Sequence, residues 1–144
     1  MFSKACEYAI RAVIFISVSS LKGERVGFKE IAKEIDAPEA FTAKILQKLS
    51  KCGILESVKG VGGGFEIAIS RLEQIKLCEV VHVIDSDSIY KGCGLGLSQC
   101  AEEHPCPVHF KFKEIRDSLK RMLETTTLME LANGAKSGKT FLKI

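Results

Sequence analysis

Cys93, Cys100, Cys106 and His109 form the pattern in the chain most able to do chemistry, with six, five and two residues between successive members. Thiolate sulfur is a soft donor, and three thiolates with an imidazole select an iron-sulfur cluster, zinc or Cu(I). Structural zinc sites usually pair their thiolates on knuckles of about two to four residues, and this stretch has no such pair. The wide spacing therefore favours a cluster held by a broad loop, with Gly92, Gly94 and Gly96 giving that loop its freedom. His104, inside the last cysteine spacing and beside Pro105, is a weaker ligand candidate, and His82 is expected on a helix surface. Cys6, Cys52 and Cys78 fall in helical patterns and are expected to act as small apolar side chains.

A second set of candidates could meet double-stranded DNA. Thr42, Lys44 and Gln47 occupy the start and middle of one amphipathic segment, where short polar and basic side chains reach base edges in a major groove. Lys48, Lys51 and Lys59 are placed to neutralise phosphates, each adding to the salt dependence of binding. The run 60–64 is rich in glycine, but no Lys-Ser or Lys-Thr pair follows it, and it joins two strand patterns rather than leading into a helix. A nucleotide loop is thereby disfavoured. Glycines such as Gly62 and Gly63 would instead let a tight hairpin tip approach a DNA backbone.

These residues need elements to position them. Apolar residues Ala5, Ala9, Ala12, Val13 and Ile16 recur at helical spacing after a capping Ser3, giving a first helix over 3–20. Phe28, Ile31, Ala32 and Ile35 predict a second helix, ended by the Asp36-Ala37-Pro38 punctuation. A third runs over 38–52, with Phe41, Ile45, Leu46 and Leu49 inward and a stop at Gly53. Strands over 54–58 and 65–69 make a hairpin, and residues 73–84 make a further amphipathic helix. Beyond the cysteine loop, Val108, Phe112, Ile115, Leu119 and Met122 step by four, three, four and three, a period that winds one helix against a partner. Thr127 and Glu130 suggest a capping box for a short last helix over 128–133.

The predicted fold is mainly α with a small β-hairpin wing: a winged helix-turn-helix plus a long dimerisation helix. Its boundaries are a DNA-binding unit at 1–72, a linking helix and cysteine loop at 73–106, the dimerisation and last helices at 107–133, and a basic tail at 134–144 expected to be mobile. With 144 residues, 46% hydrophobic content and 27% charge, the chain can bury one core and is not disordered. A net charge of +3 is too small to argue for a nucleic-acid partner by itself, so the distribution of charge has to do so. The apolar run 12–18 is preceded by Glu7 and Arg11, lacks a cleavage site after it and is too short to span a bilayer. A cytoplasmic location without a membrane partner is expected, and in a reducing compartment clustered thiols are more often ligands or sensors than disulfides. Ser-His-Asp sets and carboxylate pairs in a recognisable motif are missing, so the chain reads as no enzyme.

The sequence resembles the Rrf-type winged-helix regulators of bacteria. The resemblance rests on Ser3-Lys4 with Tyr8-Ala9, Ile31-Ala32, Leu46 and Leu49 before Gly53, the wing 59–64, Glu79-Val80, the three-cysteine loop and Thr127-Leu128 with Leu131. It implies a homodimer on a partly palindromic operator, with the third helix in the major groove and the wing near the minor groove. It implies that Cys93, Cys100 and Cys106 hold an iron-sulfur cluster. His109 matches the fourth ligand of the branch that holds a 2Fe-2S cluster, whereas Glu7, from the first helix of the partner subunit, matches that of the branch holding a 4Fe-4S cluster. Ala43 stands where some relatives carry a base-contacting side chain. The implied function is a transcriptional regulator whose operator affinity follows redox state, nitric oxide or iron-sulfur status. The alternative is a cluster-free or zinc-binding repressor that answers to a metabolite or protein partner.

Overall fold

A computed structural model describes residues 1–143. Helix α1 (Lys4–Leu21) begins where the Ser3 hydroxyl accepts the Cys6 N–H at 3.1 Å, satisfying one of the orphan donors of the first turn. Its Ala9, Ala12, Val13 and Ile16 are fully buried, and the small alanines let α1 run through the middle of the molecule. Helices α2 (Phe28–Glu34) and α3 (Glu39–Lys51) close the core through Ile31, Ile45, Leu46 and Leu49, with Pro38 directly preceding α3. Strands β1 (Glu56–Val58) and β2 (Gly64–Glu66) pair antiparallel, Glu56 opposite Glu66 and Val58 opposite Gly64. The hairpin is fastened to the body by a bridge between Val26 and Phe65. Its tip needs glycine: a Cβ on Gly63 would stand 2.2 Å from the Val58 carbonyl oxygen, and Gly64 adopts a φ of +134°.

The element order is that of a winged helix-turn-helix, with several boundaries corrected. The strands are shorter than the patterns 54–58 and 65–69, because Ile54, Leu55 and Ile67 are spent on the core and Ile69 opens a helical turn, α4 (Ile69–Leu72). The pattern 73–84 yields a helix only from Leu77, α5 (Leu77–Asp85). Residue Lys76 is extended and bridged to Thr127, and the Glu79 carboxylate accepts the Lys76 N–H at 2.6 Å. A further turn, α6 (Ser88–Lys91), opens the cysteine loop.

Helix α7 (His109–Thr125) forms an arm, and α8 (Leu128–Lys136) returns against α1. Thr127 caps α8 by accepting the Glu130 N–H at 3.0 Å. A second apolar cluster, Cys6, Leu77, Val81 and Leu123, seals α7 onto α1 and α5. The five residues stepping along the α7 pattern do not form its buried side. Val108 precedes the helix, Phe112 and Leu119 are half-buried, and Ile115 and Met122 are exposed. The side facing the body and the loop runs through His109, Phe112, Arg116, Leu119 and Leu123, so the predicted stripe shares Phe112 and Leu119 with it, and only Ile115 and Met122 stand on an outer shoulder of α7. The tail begins at Gly134 inside the last helix. It continues α8 to Lys136, and Lys143 reaches back to donate to the Lys33 carbonyl at 3.3 Å. Among the described residues no helix is long and apolar enough to cross a membrane.

Candidate functional site

The cysteine loop folds over the start of α7. Cys93, Cys100, Cys106 and His109 line one cavity of about 60 Å³ together with Leu97, Gln99, Ala101 and His104. The loop lies close because Gly94 does: a Cβ there would stand 2.5 Å from the Phe112 ring. His109 is 4% exposed, and its Nδ1 lies 3.4 Å from Cys100 Sγ while its Nε2 is buried without a hydrogen-bond partner. A buried ring nitrogen left unpaired is costly, which marks it as a donor awaiting an acceptor or a Lewis acid. No three His, Cys, Asp or Glu side chains among the described residues stand close enough to hold a single metal ion. Zinc requires four donors at about 2.0–2.3 Å from one centre, whereas an iron-sulfur cluster spreads its thiolates over two or more irons.

The electrostatics of the loop favour anionic sulfur at Cys93. Cys93 Sγ accepts the Leu95 N–H at 3.4 Å, and the Leu95 and Leu97 amides hold its pKa below the ordinary thiol value. At Cys100 the cation is Arg116, whose two terminal nitrogens donate to Sγ at 3.4 and 3.5 Å. The sequence reading missed Arg116. The available signal was its position seven residues after His109, two turns along one helix face. His104, though on the cavity wall, is exposed. Glu7 is an exposed side chain on the first turn of α1, paired with Lys4 at 3.0 Å, and none of the three cavity cysteines is among its partners.

The other cysteines sort by burial. Cys6 is fully buried, and desolvation, assisted by Asp85, pushes its pKa up to about 12. Cys78 is half-buried and raised chiefly by desolvation. Cys52 is exposed, which corrects the expectation of a buried apolar role. Cys52 and Cys78 line a cleft of about 590 Å³ between the end of α3, α5 and the α6–α7 arm, with Ile54, His82, Tyr90 and Lys120. His82 is exposed as expected and lies 2.9 Å from Asp87.

On α3, Lys44, Gln47, Lys48 and Lys51 are exposed on the face away from the core, and Lys59 is exposed on the hairpin. Ala43 is half-buried; Gly62 is exposed and Gly63 partly so at the wing tip. Thr42 is a correction: it is fully buried, and its hydroxyl donates to the Pro38 carbonyl at 2.9 Å, so it cannot reach a base edge. It belongs to the 42-45-46-49 face, one residue round from the predicted one. Phe41, expected inward, is 38% exposed and packs edge-on against Tyr8 at 5.7 Å.

Residues 2–134 match Rrf2, described as an iron-dependent transcriptional regulator. The chain belongs to the Rrf2 family. Rrf2 proteins are regulators of transcription, so this chain is a transcriptional regulator and not an enzyme. It is 31% identical over 135 residues to a putative HTH-type transcriptional regulator of Aquifex aeolicus, covering 92% of each chain. Among solved structures it shares its fold with CymR, the global cysteine regulator of B. subtilis, at a TM-score of 0.73 and 20% identity, covering 92% of this chain and 96% of that one. It also shares the fold of T. potens IscR, at a TM-score of 0.73 and 18% identity, covering 98% and 92%.

Proposed function

We propose that this Rrf2 regulator is a homodimer that binds double-stranded operator DNA with an affinity set by an iron-sulfur cluster held at Cys93, Cys100, Cys106 and His109. The observation that carries this reading is the orphaned, buried Nε2 of His109 on the wall of a cavity that the three thiols also line. Neutral imidazole and thiolate are the donors such a centre takes. When bound, the cluster supplies a centre that can be oxidised, nitrosylated or lost. The chain's own residues do the rest. The cysteine loop is gripped by His109 at the start of α7 and Arg116 near its middle, and the far end of α7 is docked through Leu123 on the body that carries α3. Ligation at the loop can thus bias the placement of α3 relative to α7. A coupling of about 3 kcal/mol amounts to roughly 100-fold in operator affinity. Exposed Phe110, Ile115 and Met122 on α7 are the apolar surface a second copy would cover. Lys44, Gln47, Lys48 and Lys51 on α3, with Ala43 beside them and Lys59, Gly62 and Gly63 on the wing, are the DNA-facing set. A cytoplasmic location fits this role.

Anaerobic purification with iron, sulfide and zinc quantified tests the reading. The wild type is expected to carry iron and sulfide in equal amounts, and Cys100→Ala is expected to be colourless. A brown Cys100→Ala protein would refute the assignment. Mössbauer spectra of wild type, His109→Ala and Glu7→Ala separate a 2Fe-2S cluster with His109 as fourth ligand from a 4Fe-4S cluster completed by Glu7 of the partner subunit.

One observation favours a second reading, in which the regulator holds zinc or no metal and answers to a metabolite. The cleft of about 590 Å³ at the seam between α3 and the arm falls in the usual size range of small-molecule sites. Absence of iron and sulfide from the anaerobic protein, with operator binding intact, would favour it.

A further inference from the structure

Arg116, on the arm, holds the cysteine loop by its side chain at two well-separated places at once. Its guanidinium donates to the Gly92 carbonyl, at the loop's entry, and through both terminal nitrogens to Cys100 Sγ, at 3.4 and 3.5 Å. His109 Nδ1 meets the same sulfur at 3.4 Å. Phe112, on the same side of α7, is pressed against Gly94, where no side chain would fit. His109, Phe112 and Arg116 lie three and four residues apart and so form one contiguous stripe along the helix. Loop and helix meet through that stripe, and Arg116 supplies its charged, two-pronged contact. A planar fork can donate to a sulfur and a carbonyl together in a way a lysine cannot.

We infer that Arg116 is a positioning residue for the metal centre: its guanidinium fixes Cys100 Sγ and the Gly92 end of the loop to α7, and its N–H groups tune the potential of whatever cluster that sulfur ligates. This rests on the ligand reading above. In the metal-free chain the fork holds the loop in place, so the sulfur is presented before iron arrives. In the loaded chain the same N–H···S bonds stabilise the more negative, reduced state, because hydrogen bonds to cluster sulfurs are among the determinants of reduction potential. The arm that carries the exposed apolar shoulder is in this way tied directly to one ligand, and a change at Cys100 is felt directly at Arg116 and His109.

The test reads two quantities on Arg116→Gln. In the metal-free full-length protein, hydrogen exchange of the amides over 92–101 is expected to speed up tenfold or more, while exchange over 117–125 is unchanged. In the anaerobic, cluster-loaded protein, a mediator titration adding one electron per cluster is expected to give a midpoint shifted negative. A tenfold change in the oxidised-to-reduced ratio at fixed potential corresponds to about 59 mV. Faster exchange with an unchanged midpoint would make Arg116 a structural prop and overturn the inference, as would unchanged exchange. Should Arg116→Gln fail to fold, Arg116→Lys, which keeps the charge and loses the fork, is read in its place with the same outcomes. If the wild type holds no cluster, the ligand reading fails on that ground, and the exchange measurement alone decides whether Arg116 ties down the loop.

Discussion

Replacing Lys48 and Lys51 by Gln removes two cations per subunit from the last turns of α3 while leaving the core untouched, since both side chains are exposed. Each lysine near a helix C-terminus also favours the macrodipole, so the double variant is expected to lose about 1 kcal/mol of stability and remain folded. Its effect on DNA is larger. If each lysine neutralises one phosphate in each subunit of a dimer, four condensed counterions are no longer released. The slope of log affinity against log salt then falls by about 3.6, at about 0.9 per phosphate. Between 50 and 200 mM salt, the wild type should lose roughly 150-fold more affinity than the variant. Fluorescence anisotropy with a duplex of arbitrary sequence is sufficient, because phosphate contacts carry no sequence information. A slope that changes by less than one phosphate's worth would show that the outer face of α3 does not lie on the DNA backbone.

Two further predictions concern the body. Leu123→Ala opens a cavity where α7 meets Leu77 and Val81; it is expected to cost about 2–5 kcal/mol, read as a fall in the urea midpoint, and a cost below about 1 kcal/mol would mean the arm is not docked there. For Cys6 the folded-state pKa is raised from 9.0 to about 12 by burial and Asp85. The stabilisation from the neutral thiol is therefore fully present below pH 9.0 and lost as pH rises toward about 12. Stability of wild type minus that of Cys6→Ala, measured by urea titration from pH 7 to 11, should hold level and then decline; a flat difference would contradict it.

The sequence by itself determined the order of the main elements and picked out the residues that line the loop cavity. Helix periodicity in α1, α2 and α3 and the glycine tip of the hairpin are local properties, set by side-chain spacing and backbone sterics. The three cysteines and His109 were legible because soft donors at unusual spacing have few other uses. Tertiary structure decided which side of each helix is spent. Thr42 reads as polar, yet its hydroxyl satisfies itself on the Pro38 carbonyl, which lets the side chain sit in the core. On α7 the loop and body take a stripe through His109, Phe112, Arg116, Leu119 and Leu123, which shares Phe112 and Leu119 with the predicted one and leaves Ile115 and Met122 outside. A charged Arg116 enters that stripe because the loop offers a carbonyl and a sulfur to its donors. The compensation comes from residues 24 and 16 positions away, and a long-range partner of that kind leaves no mark in local spacing.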